Sequence, residues 1–411
     1  MSKIKIKYFG PIKEGYNEDG GFMDVKKVTV FIGNQGSGKS TVAKVISTLT
    51  WMEKALSRGD VTKENLLTKD IYEHFEYQRI DAYFQEGTFI EYKGECAHII
   101  ITNKIHDCKI DFDSQKQLRD LPKIMYVPAE RNFLTVVRDA YNVTNIPATL
   151  KTFGEEFKKS MLSLSGTLLS LPIGKDKIKY DRYSDKIFLV VGELNLEISD
   201  SSSGYQSLVP LFAATKYLCD EIEMHKGDKD FSWLNINQSV RRKEERNLIN
   251  AKQDLTDSEK LLLFRKVDEK YLPSCLINVV EEPEQNLFPT SQQNILYSLL
   301  EFNNKYDSNK LIMTTHSPYL INYLTLAVKA DNVKATLNNE EALQKMDKIV
   351  PRHSTVNPDD LVIYELDEMQ GTIKKLGDYK GLPSDDNDLN NELEESNEAF
   401  AQLQEIAKGW R

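Results

Sequence analysis

Two spacings of apolar residues alternate along the chain. Near the N-terminus, Ile4, Ile6 and Tyr8 alternate with lysines, and this period of two predicts a half-buried strand at the edge of a sheet. Continuous apolar runs, which are typical of strands buried on both faces, occupy residues 28–32, 123–127, 276–280 and 311–315. Helical spacing separates these runs, for example over 42–52, 206–222 and 291–302. The alternation favours an α/β core built on a largely parallel sheet.

Weaker patterns fill the remaining segments. Alternating runs at 88–92 and 98–101 predict a small antiparallel sheet, and 187–198 predicts one or two strands. Residues 131–170 have a mostly helical pattern, interrupted near Pro147. Late alternating runs predict a hairpin over 361–366 and 371–376.

These patterns divide the chain into five parts. They are one half of the core with an antiparallel subdomain over 1–125, an inserted helical lobe over 126–223, a short exposed helical insertion over 224–270, the other half of the core over 271–380, and an acidic tail over 381–411.

Charge adds little to this picture. The 411 residues include 53 Lys and Arg against 63 Asp and Glu, a formal net charge of −10. The tail from Gly381 onward holds eight acidic and two basic residues, so it supplies −6 of that charge and leaves the rest nearly balanced. Charge alone therefore neither requires nor excludes nucleic acid. The basic cluster at 241–246 in the insertion is either a phosphate-contacting surface or a solvated helix face.

Targeting signals are weak in this sequence. No apolar run approaches the roughly 20 residues of a membrane-spanning helix, and the N-terminal residues lack the apolar centre of a secretory signal. Four cysteines are scattered without a CxxC pair. We therefore expect a cytoplasmic protein with no membrane partner.

A glycine-rich segment links the first buried strand to the following helix. Gly33-x4-Gly38-Lys39-Ser40 fits the P-loop pattern in the strand–loop–helix setting that supports such a match. Backbone amides of such a loop surround phosphates, while Lys39 is expected to reach the β- and γ-phosphates and Ser40 to ligate Mg²⁺. The predicted nucleotide-binding positions are Gly33, Asn34, Gln35, Gly36, Ser37, Gly38, Lys39, Ser40 and Thr41.

Two adjacent carboxylates end the strand predicted over 276–280. The sequence 276–282 has the form of a Walker B element, in which an apolar strand delivers acids to the carboxyl edge of a sheet. We expect Glu281 to hold Mg²⁺ through water and Glu282 to act as general base toward the attacking water.

Two further polar segments are ambiguous when taken alone. Ser203, Gly204 and Gln206 precede a helix, where they form either an anion site or an ordinary N-cap. His316 follows the apolar strand predicted over 311–315 and is either a switch residue or a capping histidine.

The order of these elements resembles that of ABC-type ATPases. In particular, the chain is similar to the small ATPases grouped with the OLD family and with the ATPase subunits of bacterial anti-phage systems such as Septu and PARIS. The strings that carry the resemblance are FIGNQGSGKST at 31–41, YVPAERN at 126–132, SSSGYQS at 201–207, VVEEPEQNLFP at 279–289 and MTTHSPYLI at 313–321.

The resemblance implies an ABC-type P-loop ATPase head that hydrolyses ATP with Mg²⁺. Two protomers would hold two ATP molecules head to tail, with 33–41 and the two acids of one facing Ser203, Gly204 and Gln206 of the other. His316 would contact the γ-phosphate. A glutamine after the first helix would complete the metal site, and Gln78 and Gln85 are both candidates. The resemblance also implies a separate effector protein such as a nuclease, and a nucleic acid or a phage protein as the trigger.

The sequence departs from the family pattern at several points. Glu281 stands where many relatives have Asp, and 286–289 lacks the His that often precedes the proline. Only 95 residues follow His316, and they show no buried strand with an Asp-x-Asp site, so we expect no TOPRIM nuclease domain. The role of Arg131 stays open, with a structural salt bridge as the simplest expectation.

Three other functions compete with an anti-phage sensor. One is an SMC- or RecF-like ATPase that acts directly on DNA in recombination or repair, although 224–270 is too short for a long coiled-coil arm. Another is a P-loop kinase of a small molecule, which the segments around Gly204 and His316 disfavour. A transporter subunit is the third, and the absence of a Leu-Ser-Gly-Gly signature disfavours it.

Overall fold

The computed structural model describes residues 2–409 except 69, 114, 117, 138–142, 226–230, 232, 233, 235 and 254. Its strands are β1 (Ser2–Phe9), β2 (Gly15–Tyr16), β3 (Met23–Val25), β4 (Val28–Gly33), β5 (Phe84–Lys93), β6 (Ala97–Thr102), β7 (Lys109–Phe112), β8 (Pro122–Val127), β9 (Leu168–Ser170), β10 (Lys177–Asp181), β11 (Lys186–Val191), β12 (Leu194–Glu197), β13 (Cys275–Glu281), β14 (Lys310–Thr314), β15 (Leu361–Asp367), β16 (Thr372–Lys375), β17 (Asp378–Tyr379) and β18 (Leu382–Pro383).

Its helices are α1 (Lys39–Arg58), α2 (Lys63–Leu66), α3 (Asp70–Tyr77), α4 (Phe133–Val136), α5 (Ala148–Ser163), α6 (Ser203–His225), α7 (Ile236–Ala251), α8 (Asp257–Glu269), α9 (Pro289–Asn304), α10 (Pro318–Lys334), α11 (Glu340–Asp347) and α12 (Asp388–Gly409).

A mixed sheet in the order β2-β16-β15-β4-β14-β13-β8 forms the centre of the molecule. Five neighbouring strands, from β15 to β8, run parallel, and β16 closes the predicted late hairpin against β15. Every residue of β4 and β13 is buried, because helices and a second sheet cover both faces. The prediction of an α/β core on a largely parallel sheet is confirmed. Since parallel strands end at one edge, β4, β13 and β14 bring their following loops together there.

The two faces of this sheet pack into two different cores. Val30, Val280 and Met313 point into the core with α5, α6, α9 and α10. Phe31 and Val279 point into the other, with α1 and the antiparallel sheet. Alternate residues of each central strand thus serve opposite cores, which is why these segments read as continuous apolar runs.

The antiparallel sheet has the order β3-β1-β5-β6-β7. It confirms the predicted strands at 88–92 and 98–101, but the prediction that the N-terminal strand is an edge was wrong, because β1 lies between β3 and β5. The predicted alternation also fails at Tyr8, where the register shifts between Lys7 and Phe9 and the φ angle is +49°. The Tyr8 side chain is 38% exposed, whereas Ile4 and Ile6 are buried.

A buried carboxylate ties α1 to this antiparallel sheet. Glu53 accepts hydrogen bonds from the Tyr92 hydroxyl at 2.7 Å and from the amides of Cys96 and Ala97 at 2.8 and 3.1 Å. A side chain at Gly94 would collide with this carboxylate, since its Cβ would lie 2.2 Å from Glu53 Oε1. The contact fixes the direction in which α1 leaves the P-loop.

A second antiparallel sheet, ordered β12-β11-β10-β9, precedes α6. The helical pattern predicted up to residue 170 was wrong beyond Ser163, where α5 ends and the chain turns through Gly166 with φ of +81° into β9. The two strands predicted over 187–198 are β11 and β12. Ile178 and Leu189 of this sheet are buried in the same core as α6.

The insertion is a pair of helices, α7 and α8, whose basic residues are used within the protein. Arg242 and Arg246 both contact Asp268 at 2.8 Å, and Arg241 bonds to Gly59 O and Asp60. The ion pairs favour the structural interpretation of this cluster over phosphate contact. Among the residues that the structure describes, no helix has the length and apolar character to cross a membrane.

Candidate nucleotide-binding site

The P-loop runs from the end of β4 to the first turn of α1. Gly33 has φ of +135°, and a Cβ there would lie 2.3 Å from Leu366 O of the neighbouring β15, so glycine is required. Gly36 has φ of +79°, and a Cβ there would have no atom within 4 Å. The crown of the loop is therefore open, as a cradle for phosphates requires.

The Lys39 ammonium folds back over this loop. Its Nζ donates to Gly33 O at 2.8 Å and Asn34 O at 2.7 Å, and lies 3.5 Å from Ser37 Oγ. Burial lowers the pKa of Lys39 to about 8, against the attraction of Glu282, Glu284 and Glu368. The cation is thus held at the loop with only carbonyl and hydroxyl partners, where it is placed to receive an anion.

The other P-loop positions lie around this lysine. Asn34 and Gln35 are exposed; the Asn34 amide donates to Glu368 Oε1 at 3.0 Å, and its carbonyl oxygen accepts from Gln35 N at 2.8 Å. Ser37 and Thr41 are buried, and Ser40 is half-buried in the first turn of α1.

Glu281 and Glu282 diverge at the end of β13. The Glu281 carboxylate is buried and accepts from Ala129 N at 3.2 Å. Glu282 follows with φ of +43°, a left-handed conformation uncommon for a residue with a side chain. Its carboxylate lies 3.4 Å from His316 Nε2, and this contact, more than any other interaction, lowers its pKa. Glu282 therefore stays ionised to lower pH than an ordinary glutamate, as a carboxylate that accepts a proton from water must be.

A third carboxylate, Glu284, supports the loop that carries His316. Its Oε1 accepts from the Thr315 hydroxyl at 2.7 Å and from His316 N at 2.8 Å. Burial raises the pKa of Glu284, and its Oε2 is buried without a hydrogen-bond partner in the described part of the chain. The sequence analysis assigned no role to this residue, although the acid at position 284 stands out within the string VVEEPEQNLFP.

Gln78, but not Gln85, lies beside Glu281. Both Gln78 and Glu281 line a small cavity of about 220 Å³, together with Tyr126 and Lys44. Gln78 is 3% exposed, and its Oε1 has no hydrogen-bond partner among the described residues. Gln85 lies on the surface, where its amide is 3.4 Å from Gly10 O. An unpartnered amide oxygen and a carboxylate on one cavity are oxygen donors of the kind Mg²⁺ takes, so these residues fit a metal site.

The residues Ser203, Gly204 and Gln206 form the first turn of α6. Ser203 is exposed and Gly204 is half-buried, with space for a Cβ limited by Asn286 O at 3.0 Å. Gln206 is buried, and its amide donates to Ser199 O and Ser201 O at 3.0 and 2.9 Å. Gln206 thus shapes the loop before the helix, and Ser203 is the hydroxyl that this turn presents to solvent.

Arg131 joins the acidic strand end to α6. The guanidinium is completely buried and donates to four backbone carbonyls, Ser207 O at 3.0 Å, Pro128 O at 3.2 Å, Glu281 O at 2.7 Å and Glu282 O at 2.7 Å. The expected salt bridge was wrong in its partners, because the fork of the side chain meets carbonyls rather than a carboxylate. Burial lowers the pKa of Arg131 to about 10, and four nearby glutamates oppose this change.

The structure thus brings Lys39, Glu282, His316 and Glu284 to one edge of the main sheet. The strand that precedes His316, β14, lies between the P-loop strand β4 and the acidic strand β13. An antiparallel sheet covers α1, and α5 and α6 cover the opposite face. The main sheet therefore places the P-loop and the acidic strand end at one edge of an α/β core.

Comparison with known proteins gives structural similarities only. No family model matches the sequence, and no curated protein matches it. The chain is similar to a solved SMC head bound to the C-winged helix domain of ScpA, with TM-score 0.39, 9% identity, and coverage of 91% of this chain and 96% of that one. It is also similar to the SMC head domain of Thermotoga maritima, with TM-score 0.38, 10% identity, and coverage of 92% of this chain and 98% of that one. A third similar structure is a dimeric ATP-binding cassette bound to ADP and Pi, with TM-score 0.31, 12% identity, and coverage of 92% of this chain and 100% of that one. Nothing about binding or activity follows from likenesses at this level.

Proposed function

We propose that this protein is an ATPase whose two protomers hold ATP and Mg²⁺ between them head to tail. The observation that carries the proposal is the placement of Glu282, which is held in a left-handed conformation next to His316 at the edge where the P-loop lysine lies. Glu282 is ionised at neutral pH, and the carboxylate is the form that accepts a proton from a water molecule.

The positions of the other residues support roles for them in the same proposed site. Lys39 leaves its two loop carbonyls to bind the β- and γ-phosphates, and the backbone amides of 33–41 surround them. Ser40, Glu281 and Gln78 would hold Mg²⁺, directly or through water, and the ion neutralises phosphate charge when it is bound. His316, whose backbone amide donates to Glu284, would contact the γ-phosphate.

The dimer is proposed because the first turn of α6 exposes a serine hydroxyl next to a helix N-terminus, a combination that is typical of anion sites. Ser203 and the helix N-terminus are open to solvent, while Gln206 fixes the preceding loop. Opposite a second protomer, Ser203 and Gly204 would complete the γ-phosphate site. Closure by ATP then requires tighter binding to the closed dimer, which these contacts between protomers supply.

Replacement of Glu282 by glutamine tests both parts. The E282Q variant should bind ATP, hydrolyse it at least about 100-fold more slowly because the base is lost, and accumulate as a dimer with ATP in sedimentation experiments. The exposed Glu341 on α11 offers a matched control, since E341Q makes the same chemical change far from the sheet edge. Hydrolysis by E282Q at the rate of the wild-type protein would show that Glu282 is not the base.

We further propose that the ATPase is a cytoplasmic sensor or scaffold subunit of a bacterial anti-phage complex, with the five-part chain division described above. The support is the resemblance of the strings at 201–207 and 279–289 to the OLD-like group that includes Septu and PARIS subunits. Affinity purification of the protein from its native host in the presence of ATP tests this role. K39A is the control, since its dimer should not close on ATP. A stoichiometric nuclease or toxin-like partner is the expected result. A homodimer that carries only DNA, with DNA-stimulated and steeply salt-dependent hydrolysis, would replace this role by direct action on DNA.

A further inference from the structure

A large cavity lies on the other side of α1 from the antiparallel sheet. Its volume is about 800 Å³, within the range of roughly 300–1,000 Å³ that is usual for small-molecule sites. Six elements line it, namely α1, α3, α5, α6, α7 and β8. The lining residues that matter for binding are Trp51 and Lys54 of α1, His74 and Tyr77 of α3, Lys123 of β8, Glu156 of α5 and Tyr217 of α6.

One lysine that lines the cavity has no ion-pair partner among the residues that the structure describes. Lys123 contacts Glu156 at 3.1 Å and Glu221 at 3.7 Å, and Lys159 contacts Glu156 at 3.0 Å. Lys54, in contrast, makes no hydrogen bond or ion pair with any residue that the structure describes, and its surface faces the cavity. Burial, together with Arg58 and Lys123, lowers the pKa of Lys54 to about 7. An anion next to Lys54 would supply the missing partner and restore the charged form.

Aromatic side chains form the wall above this cation. Trp51 is 38% exposed and its ring centroid lies 4.7 Å from that of His74. Tyr77 is 40% exposed, and its hydroxyl donates to Thr152 Oγ1 at 2.7 Å. Exposed aromatic rings around a pocket give a flat ligand a large contact area.

We propose that this cavity binds a small anionic aromatic molecule, its ring against Trp51 and Tyr77 and its phosphate or carboxylate on Lys54. Nucleoside monophosphates and aromatic acids share this chemistry. The site is separate from the P-loop, because Trp51 and Lys54 lie three to four helical turns beyond Lys39 on α1.

The cavity adjoins the one that holds Glu281. Gln78, Tyr126 and Thr149 line both, so they form the partition between them. Gln78 and Tyr126 share the smaller cavity with the Glu281 side chain. A ligand that moves Gln78 or Tyr126 would therefore change ATP hydrolysis. This last step rests on the proposed function, whereas binding does not.

The probe we would use is 8-anilinonaphthalene-1-sulfonate, an anionic aromatic dye whose fluorescence rises in apolar sites. Without nucleotide it should bind the full-length wild-type protein in a saturable manner, and K54M and W51A should each weaken binding about tenfold or more. The exposed Lys243 on α7 provides a matched control, and K243M should bind as the wild-type protein does. A second variant, K54Q, with far-UV circular dichroism and urea midpoints for all variants, separates lost binding from lost structure.

Competition identifies the ligand class. Displacement of the dye by AMP in the wild-type protein, but not in K54M, would assign nucleoside phosphates, and displacement by 1-naphthoate alone would assign aromatic acids. Equal dye binding by K54M, W51A and the wild-type protein, or no saturable binding, would overturn the site. Binding that depends on Lys54 but leaves ATP hydrolysis unchanged would overturn the coupling through Gln78 and leave the site standing.

Discussion

Replacement of Arg131 by methionine removes the contact that holds the acidic loop to α6. The guanidinium reaches carbonyls on both sides, Glu281 O and Glu282 O from the strand end and Ser207 O from the helix. Glu282 has a left-handed φ of +43°, a conformation that costs about 1–3 kcal/mol and persists only where surrounding contacts enforce it. Arg131 is therefore a positioning residue for Glu282.

The magnitude follows from four hydrogen bonds and one buried charge. Bonds from a charged donor contribute about 1.5–3 kcal/mol each, and their sum is opposed by the desolvation of a completely buried guanidinium. Removal of one partner from buried charged contacts costs about 3–5 kcal/mol, because the other groups stay buried and unpaired. We expect R131M to lose stability in this range. R131K should lose less, since an ammonium keeps the charge but cannot span four carbonyls.

The assay is urea unfolding combined with steady-state hydrolysis of ATP. R131K should keep a cooperative transition while its kcat falls at least about tenfold and KM changes little, because Glu282 is released from its conformation but the P-loop is intact. The exposed Arg182 serves as the control, and R182M should leave both measurements unchanged. If R131M loses under about 1 kcal/mol and R131K turns over at the wild-type rate, the positioning role is refuted.

Three further predictions concern other residues and use the same two assays, ATP hydrolysis and urea unfolding. K39A should lose nucleotide binding or productive γ-phosphate engagement, and full ATPase activity in K39A would refute the P-loop assignment. E284Q should keep most ATPase activity, because the amide oxygen of glutamine still accepts hydrogen bonds from the Thr315 hydroxyl and His316 N. E284A should lose the activity, since it has no acceptor. Equal rates of ATP hydrolysis in E284Q and E284A would show that Glu284 does not position the loop that carries His316. K54M should be more stable than the wild-type protein below pH 7, and this difference in unfolding free energy should shrink as pH rises from about 7 to the ordinary lysine pKa of 10.5. The reason is that, over this pH range, Lys54 is protonated in the unfolded wild-type chain but not in the native one. A difference in urea unfolding that stays constant with pH would contradict the lowered pKa.

Elements whose pattern is local could be predicted from the sequence. The segment from Val28 to Arg58 encodes a buried strand, a glycine loop and an amphipathic helix in consecutive residues, and the structure forms each of them. The strand ending at Glu281 and the strand before His316 were predicted for the same reason. A parallel sheet then places their loops at one edge without further information.

Features that depend on distant partners could not be predicted in this way. The alternation at Ile4 and Ile6 indicates a half-buried strand, but whether β1 is an edge depends on β3 and β5 pairing with its two sides. The helical pattern continues past Ser163 in the sequence, and the switch to β9 is decided by pairing with β10 and burial of Leu169. In both cases tertiary contacts override a local preference.

The same distinction separates the side chains of the candidate site. The P-loop pattern alone places Lys39, whereas Gln78 and Gln85 look equivalent in the sequence until the fold sets one beside Glu281 and the other on the surface. Arg131 was expected to pair with a carboxylate because the sequence shows which side chains are charged but not where backbone carbonyls lie in the fold. The insertion shows the reverse case, since three arginines that resemble a phosphate-binding cluster form ion pairs with Asp60 and Asp268. A charged residue that has no partner in the described part of the fold is thus a further indication of a binding site, and Lys54, which no motif marks, is such a residue in the cavity described above.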